Sequence, residues 1–201
     1  MLIDQKQYID AGVHIGTKVK TPGMNRFIFK VREEGLYILD LPKIDQRISI
    51  AAKMLARYDP SKILVTASRI YTLTPASKFA ESIGAKIVKG RVMPGMLTNP
   101  NREDYIEPAV ILVSDSRNER QAIKEASKTN IVTIALSDTD NWIKHVDLVI
   151  PCNNKGRRSL ALVYYLLTRE VLRNKGVIKS PEEFSLKPSD FESTLELKAT
   201  R

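Results

Sequence analysis

The chain has one cysteine, Cys152, among 201 residues. A lone thiol excludes an internal disulfide and any zinc site built on several thiolates, and it fits a reducing cytoplasm. Histidine is almost as scarce: His14 and His145 are the only two, and they lie far apart in the sequence. There is no Ser-His-Asp order, Cys-His pair or glycine-rich dinucleotide loop, so no familiar nucleophilic or nucleotide-dependent machinery is visible. No apolar run reaches the roughly 18 residues that a membrane span needs, so no membrane partner is expected. The opening MLIDQKQYID carries acids and no long apolar stretch, and does not read as a signal peptide.

What the chain does have is hydrophobic residues at 43%, enough to bury the core of one domain. It also has a net charge of +9, an excess that suggests a polyanionic partner. That charge is segregated. Residues 11–32 hold Lys18, Lys20, Arg26, Lys30 and Arg32 with no acid, and residues 84–102 hold Lys86, Lys89, Arg91 and Arg102 with no acid. Residues 151–180 hold seven Lys or Arg against Glu170 alone, whereas from Pro181 onward five acids face three bases. If the fold brings the three basic stretches together, their surface neutralises several phosphates, with affinity falling steeply as salt rises. A solvated lysine-rich surface is the plainer alternative.

The middle of the chain alternates strand-like and helix-like segments. KIDQRISIAAKMLARY (43–58) places Ile44, Ile48, Ala51 and Leu55 on one helical face. Asp59-Pro60 stops it, because proline disfavours helix at its predecessor. KILVTAS, AKIVKG, AVILVSD, IVTIALSD and HVDLVI read as short, apolar strands, as in a parallel sheet covered on both faces. Helices are expected over 75–84, with Pro75 near the first turn and Gly84 at the end, over 118–128, and over 157–174. RFIF (26–29) and LYILD (36–40) flank VREEG as a hairpin, and the first twelve residues suit a short amphipathic helix. From about residue 177 the pattern dissolves into SPEEFSLKPSDFESTLELKATR, read as a tail that orders only against a partner. The expected division is therefore an α/β domain over 1–176 and a tail over 177–201.

Four stretches are candidate sites. CNNKGRRSL (152–160) follows a strand and opens a helix, the layout that holds phosphates at helix N-terminal amides. It is not a nucleotide P-loop, because Lys155 precedes its only glycine, Gly156, and two arginines follow. Asn153, Asn154, Lys155, Arg157 and Arg158 suit a polyphosphate backbone, the alternative being a helix-entry turn with surface arginines. Asp138 and Asp140 in LSDTDNW offer two carboxylates to Mg²⁺, although such residues after a strand more often form turns and caps. His14 reads as a packing or hydrogen-bonding residue, with RNA contact as the leading exception. Ser68 and Arg69 at a strand end suit the phosphate of a small sugar or of RNA equally.

AGVHIGTK, MNRFIFKVREEGLYILDL, ILVTASRIYTLTPASKFAESIGAK, GRVMPGMLTNP, ALSDTDN and DLVIPCNNKGRRSLALVYYLLTREVLR occur in this order over roughly residues 4–175. In them the chain resembles the small-subunit ribosomal protein S-two family in its archaeal and eukaryotic form. Only PNREDYIEP (100–108) follows the LTN block, so the long helical hairpin of bacterial members is absent, and the short tail points to an archaeal type. Val92 and Met96 stand where the family has phenylalanine and threonine. The resemblance implies a flavodoxin-like α/β fold without catalytic activity or cofactor. It implies a cytoplasmic, ribosome-bound structural protein whose partners are small-subunit ribosomal RNA and neighbouring ribosomal proteins. The matching basic motifs carry the RNA-contact expectation to Lys18, Arg26, Arg32, Arg69, Arg91, Lys155, Arg157 and Arg158. The charge map adds Lys20 and Lys89. The rival reading is a phosphosugar- or nucleotide-binding enzyme on the same fold.

Overall fold

Five short strands lie side by side and parallel: β3 (Ile63–Ala67), β4 (Lys86–Lys89), β5 (Val110–Val113), β6 (Val132–Ser137) and β7 (Leu148–Pro151). Their order across the sheet is β4-β3-β5-β6-β7, the flavodoxin-like arrangement. The computed structural model describes residues 1–194, and residues 195–201 of the expected tail lie outside the described residues. The edge strand β4 keeps Lys86 and Lys89 exposed, which discourages pairing with another chain.

Side chains alternate between two cores, as strand geometry requires. Val65, Leu112, Ile134 and Leu136 point into the larger one, packed by α2 (Leu41–Leu55), α3 (Ile70–Ile83) and α5 (Arg157–Asn174). Leu64, Ile111, Val113 and Ala135 point the other way, where α4 (Arg120–Lys128) and the segment with Val92, Met96 and Leu97 cover them. Val92 and Leu97 are buried, so the family departure at Val92 is absorbed as core packing. Between Leu97 and β5 the chain makes turns and no helical hairpin. Among the described residues no helix is long and apolar enough to cross a membrane.

α5 spans the expected residues. α2 begins at Leu41, two residues before the expected start at Lys43, with Pro42 in its first turn, where a missing N–H costs nothing. α3 begins at Ile70, five residues before the expected start, and holds Pro75 in its interior. Burial of Thr72, Pro75, Ala76 and Phe79 on one face outweighs the single lost backbone bond. Gly84 ends α3 at φ 77°, a conformation only glycine adopts without strain. The expected hairpin forms as β1 (Ile28–Val31) and β2 (Tyr37–Leu39), and the N-terminal helix is α1 (Gln5–Asp10).

The segment after Gly176 is not left waiting for a partner, contrary to the reading of its composition. Phe191 is fully buried, and Phe184 (tilted) and Phe191 (edge-on) pack against the Tyr165 ring of α5 with ring centres 5.5 and 6.0 Å away. Three apolar residues, Phe184, Leu186 and Phe191, supply this packing from irregular backbone. They follow neither strand nor helix spacing, which is why no periodicity announced it.

Candidate nucleic-acid interface

In a parallel sheet all strand carboxyl ends share one edge, and ligands of such folds bind there. That edge carries Ser68 and Arg69 after β3, Lys89 and Arg91 at and after β4, Asp115 and Arg117 after β5, Asp138 and Asp140 after β6, and Lys155 after β7. Gly90 N–H bonds to Ala67 C=O at 2.7 Å, which sets the Lys89–Arg91 turn beside Arg69. The N-terminal segment lies over the same edge. Asn153 N–H donates to Val13 C=O at 2.9 Å, Thr17 N–H to Thr139 Oγ1 at 3.0 Å, and Thr21 N–H to Thr139 C=O at 2.9 Å. Gly16 allows this approach: a Cβ there would sit 2.5 Å from Thr139 Cγ2 and 2.9 Å from Tyr37 C=O. Lys18 and Lys20, both exposed, are thereby carried to the edge.

The loop 152–160 is a built helix entry. Asn153 Oδ1 accepts from the backbone N–H of Lys155 and of Gly156, both at 3.0 Å, and Ser159 Oγ donates to Asn153 C=O. α5 opens with no acid in its first turn and no side-chain cap, so its dipole and free amides remain positive. The three cations expected to act together do not point together. Lys155 Nζ turns inward onto Asp140 at 2.9 Å and Asp138 at 3.2 Å. Arg157 pairs with Glu192 of the C-terminal segment at 2.8 Å. Arg158 lines a separate cleft of about 350 Å³ with Gln7, Asp10 and Pro188.

The pair Asp138 and Asp140 holds cations of the chain itself. Arg117 Nη1 joins Lys155 on Asp140 at 2.9 Å, and Asp138 Oδ1 accepts from Thr139 N–H. Burial raises the Asp138 carboxyl despite Lys155. Among the described residues no cluster of three His, Cys, Asp or Glu offers a metal site. His14 is 8% exposed, and burial together with the charge of Arg32 lowers its imidazole, so it packs as a neutral ring. Arg32 is exposed in the turn between β1 and β2, where its N–H bonds to Leu36 C=O at 2.9 Å. Arg26 lies elsewhere, over the Phe27 ring that it shares with Arg47 of α2.

Between β3 and β5 the connections leave in opposite directions, and this crevice is where the fold receives a phosphate. Here it is filled by the side chain of Glu119. Its Oε1 accepts from Ser68 N–H and Ser68 Oγ, both at 2.9 Å, and its Oε2 from Thr66 Oγ1 and from Ser114 N–H at 3.1 Å. Burial pushes the carboxyl up to about 7 against the pull of these four donors. Arg69, the other expected phosphate grip, pairs with the fully buried Asp115. The donors that a small phosphate needs are thus consumed internally. Glu119 is one of two acids in SDSRNER, and three of its four donors come from Thr66 and Ser68, 53 and 51 residues upstream, so nothing in its local sequence marks it.

The model of the family described as Ribosomal protein S2 matches residues 8–105 and 102–174 of the chain. The chain is similar to the small ribosomal subunit protein uS2 of Saccharolobus solfataricus, with 51% identity over 97% of this chain and 84% of that one. It is 50% identical to uS2 of Picrophilus torridus over 96% of each chain. It is also 50% identical to uS2 of Thermoplasma acidophilum, over 97% of this chain and 98% of that one.

Proposed function

The chain belongs to the ribosomal protein S2 family in its archaeal form, a structural component of the small ribosomal subunit and not an enzyme, and from this we propose that the carboxyl edge of its sheet is its surface for small-subunit ribosomal RNA. One observation carries the reading: Lys18, Lys20, Lys89 and Arg91 come from separate basic stretches, reach one edge, stay exposed and have no carboxylate partner among the described residues. Such cations neutralise backbone phosphates and recognise RNA by shape and phosphate position. Arg69, Lys155 and Arg157, each already paired, brace the edge and add less net charge. Arg158 and Arg32 flank it, and Arg26 serves the α2 side.

Neighbouring ribosomal proteins are the second class of partner we propose, in the cytoplasm and on the ribosome. The exposed strand β1 favours them, because Phe29 and Val31 are 69% and 53% exposed and suit an apolar protein contact better than phosphates. Residues 1–176 form the working domain in this proposal, with the following segment strapped to it. Co-sedimentation with small subunits in rising salt tests the RNA surface. Lys18→Glu with Lys20→Glu should release the protein at lower salt than wild type, and unchanged retention would refute the assignment.

A further inference from the structure

Beside the Arg117–Asp140 end of that edge, and away from Lys18, Lys20, Lys89 and Arg91, the molecule has a cavity of about 630 Å³ between α4 and the loop after β6, lined among others by Arg117, Arg120, Lys124, Trp142, Lys144 and His145. Three observations meet in it. Trp142, the only tryptophan of the chain, is 66% exposed and makes no ring contact within the described residues. Four cations line the cavity and no carboxylate does, and only Arg117 has an ion-pair partner among the described residues, Asp140. His145 holds a left-handed backbone at φ 64°, rare for a residue with a side chain, and its Nδ1 lies 3.2 Å from Ser127 Oγ of α4. The strained turn thus pins the loop bearing Trp142 against the basic face of α4.

We propose that this cavity receives one unpaired nucleotide of an RNA strand, its base stacked on Trp142 and its flanking phosphates held by Arg120, Lys124 and Lys144. An indole face is a stacking platform for any base. Arg120 and Lys124 are four residues apart on one helical face, about 6 Å along the axis, so they follow a backbone and do not clamp one group. A duplex keeps its bases stacked inside and cannot use the platform. The inference rests on the RNA reading above but uses a different set of residues, so the two can fail separately. It also means that α4 is part of the binding machinery, although its lysines look like ordinary solvated charge in the sequence.

The sole tryptophan makes the test direct. Fluorescence of the full chain is followed at low salt while a single-stranded ten-nucleotide oligoadenylate RNA is added. Saturable quenching is expected, with a blunt duplex of the same length giving none. Lys124→Glu with Lys144→Glu keeps the reporter and should weaken the quenching affinity at least tenfold. Trp142→Ala, read by polarisation of labelled RNA, should weaken binding about fivefold to a hundredfold. Quenching should persist in the Lys89→Glu, Arg91→Glu variant, whose own defect reports on the edge surface. Absence of quenching by the single strand overturns the proposal. So does equal affinity for free ADP, which would make the site one for small nucleotides, or equal quenching by polyglutamate, which would make it one for acidic protein.

Discussion

Glu119→Gln isolates the carboxylate that fills the phosphate position of the fold. In the folded chain burial raises this carboxyl from an ordinary 4.5 to about 7. Between those values the folded state binds more protons than the unfolded one, so stability falls as pH rises. The contribution is fully present below about pH 4.5 and is lost as pH climbs through about 7. At about 1.4 kcal/mol per unit, the difference amounts to about 3 kcal/mol. Glutamine cannot titrate, and either orientation of its amide sets an NH₂ against a backbone N–H, of Ser68 or of Ser114. The variant should therefore be less stable than wild type at pH 5, and the gap should shrink by about 2.5 kcal/mol by pH 8, because at pH 5 the unfolded carboxyl is already partly ionised. Urea unfolding at pH 5, 6, 7 and 8 measures it, with groups common to both proteins cancelling. A gap that stays constant over this range would show that the folded carboxyl titrates at or below its ordinary value, so that its four donors match or outweigh burial, and the argument would be refuted.

Phe191→Ala should cost about 3–5 kcal/mol, the usual loss for a fully buried phenylalanine, and lower the melting temperature measurably. Removing residues 177–201 should leave the α/β domain folded but destabilised by a similar amount, while freeing Arg157 from Glu192 and preserving or raising affinity for naked RNA. A truncated chain without cooperative unfolding would place the segment inside the domain. Lys155→Met should lose about 1–3 kcal/mol, because the buried Asp138 is left without its cation, yet change RNA affinity less than loss of an unpaired edge lysine. Equal damage to affinity from both would mean that Lys155 reaches out to phosphate.

The parts of the fold legible in the sequence are those set by near neighbours. α5 has a polar glycine-bearing entry and Gly176 beyond its end, and both bounds follow from them. The five strands announce themselves by apolar β-branched runs. α3 misleads because Pro75 normally marks a first turn, and only the tertiary burial of that helix face reveals a proline in its interior. For the candidate site, segregation of charge was visible, but its pairing was not. Lys155 on Asp140, Arg69 on Asp115 and Arg157 on Glu192 join residues 15, 46 and 35 positions apart, and nothing local records such distances. The same limit hides Glu119 and the cavity beneath Trp142, which exist only once α4 and the loop after β6 are side by side.

Binding of the full chain to protein-free small-subunit ribosomal RNA across a salt series tests the edge surface most directly, by comparing two double charge reversals. Lys89→Glu with Arg91→Glu alters the carboxyl edge, while Arg57→Glu with Lys62→Glu alters exposed residues just before the amino end of β3, at the opposite edge. The net charge change is the same. The first pair should lose affinity by about tenfold or more at low salt and flatten the log–log salt slope by about 2, one unit for each lost phosphate contact. The second pair should stay close to wild type in slope. Equal losses from both pairs, or an affinity of the native chain that does not respond to salt, would contradict the account.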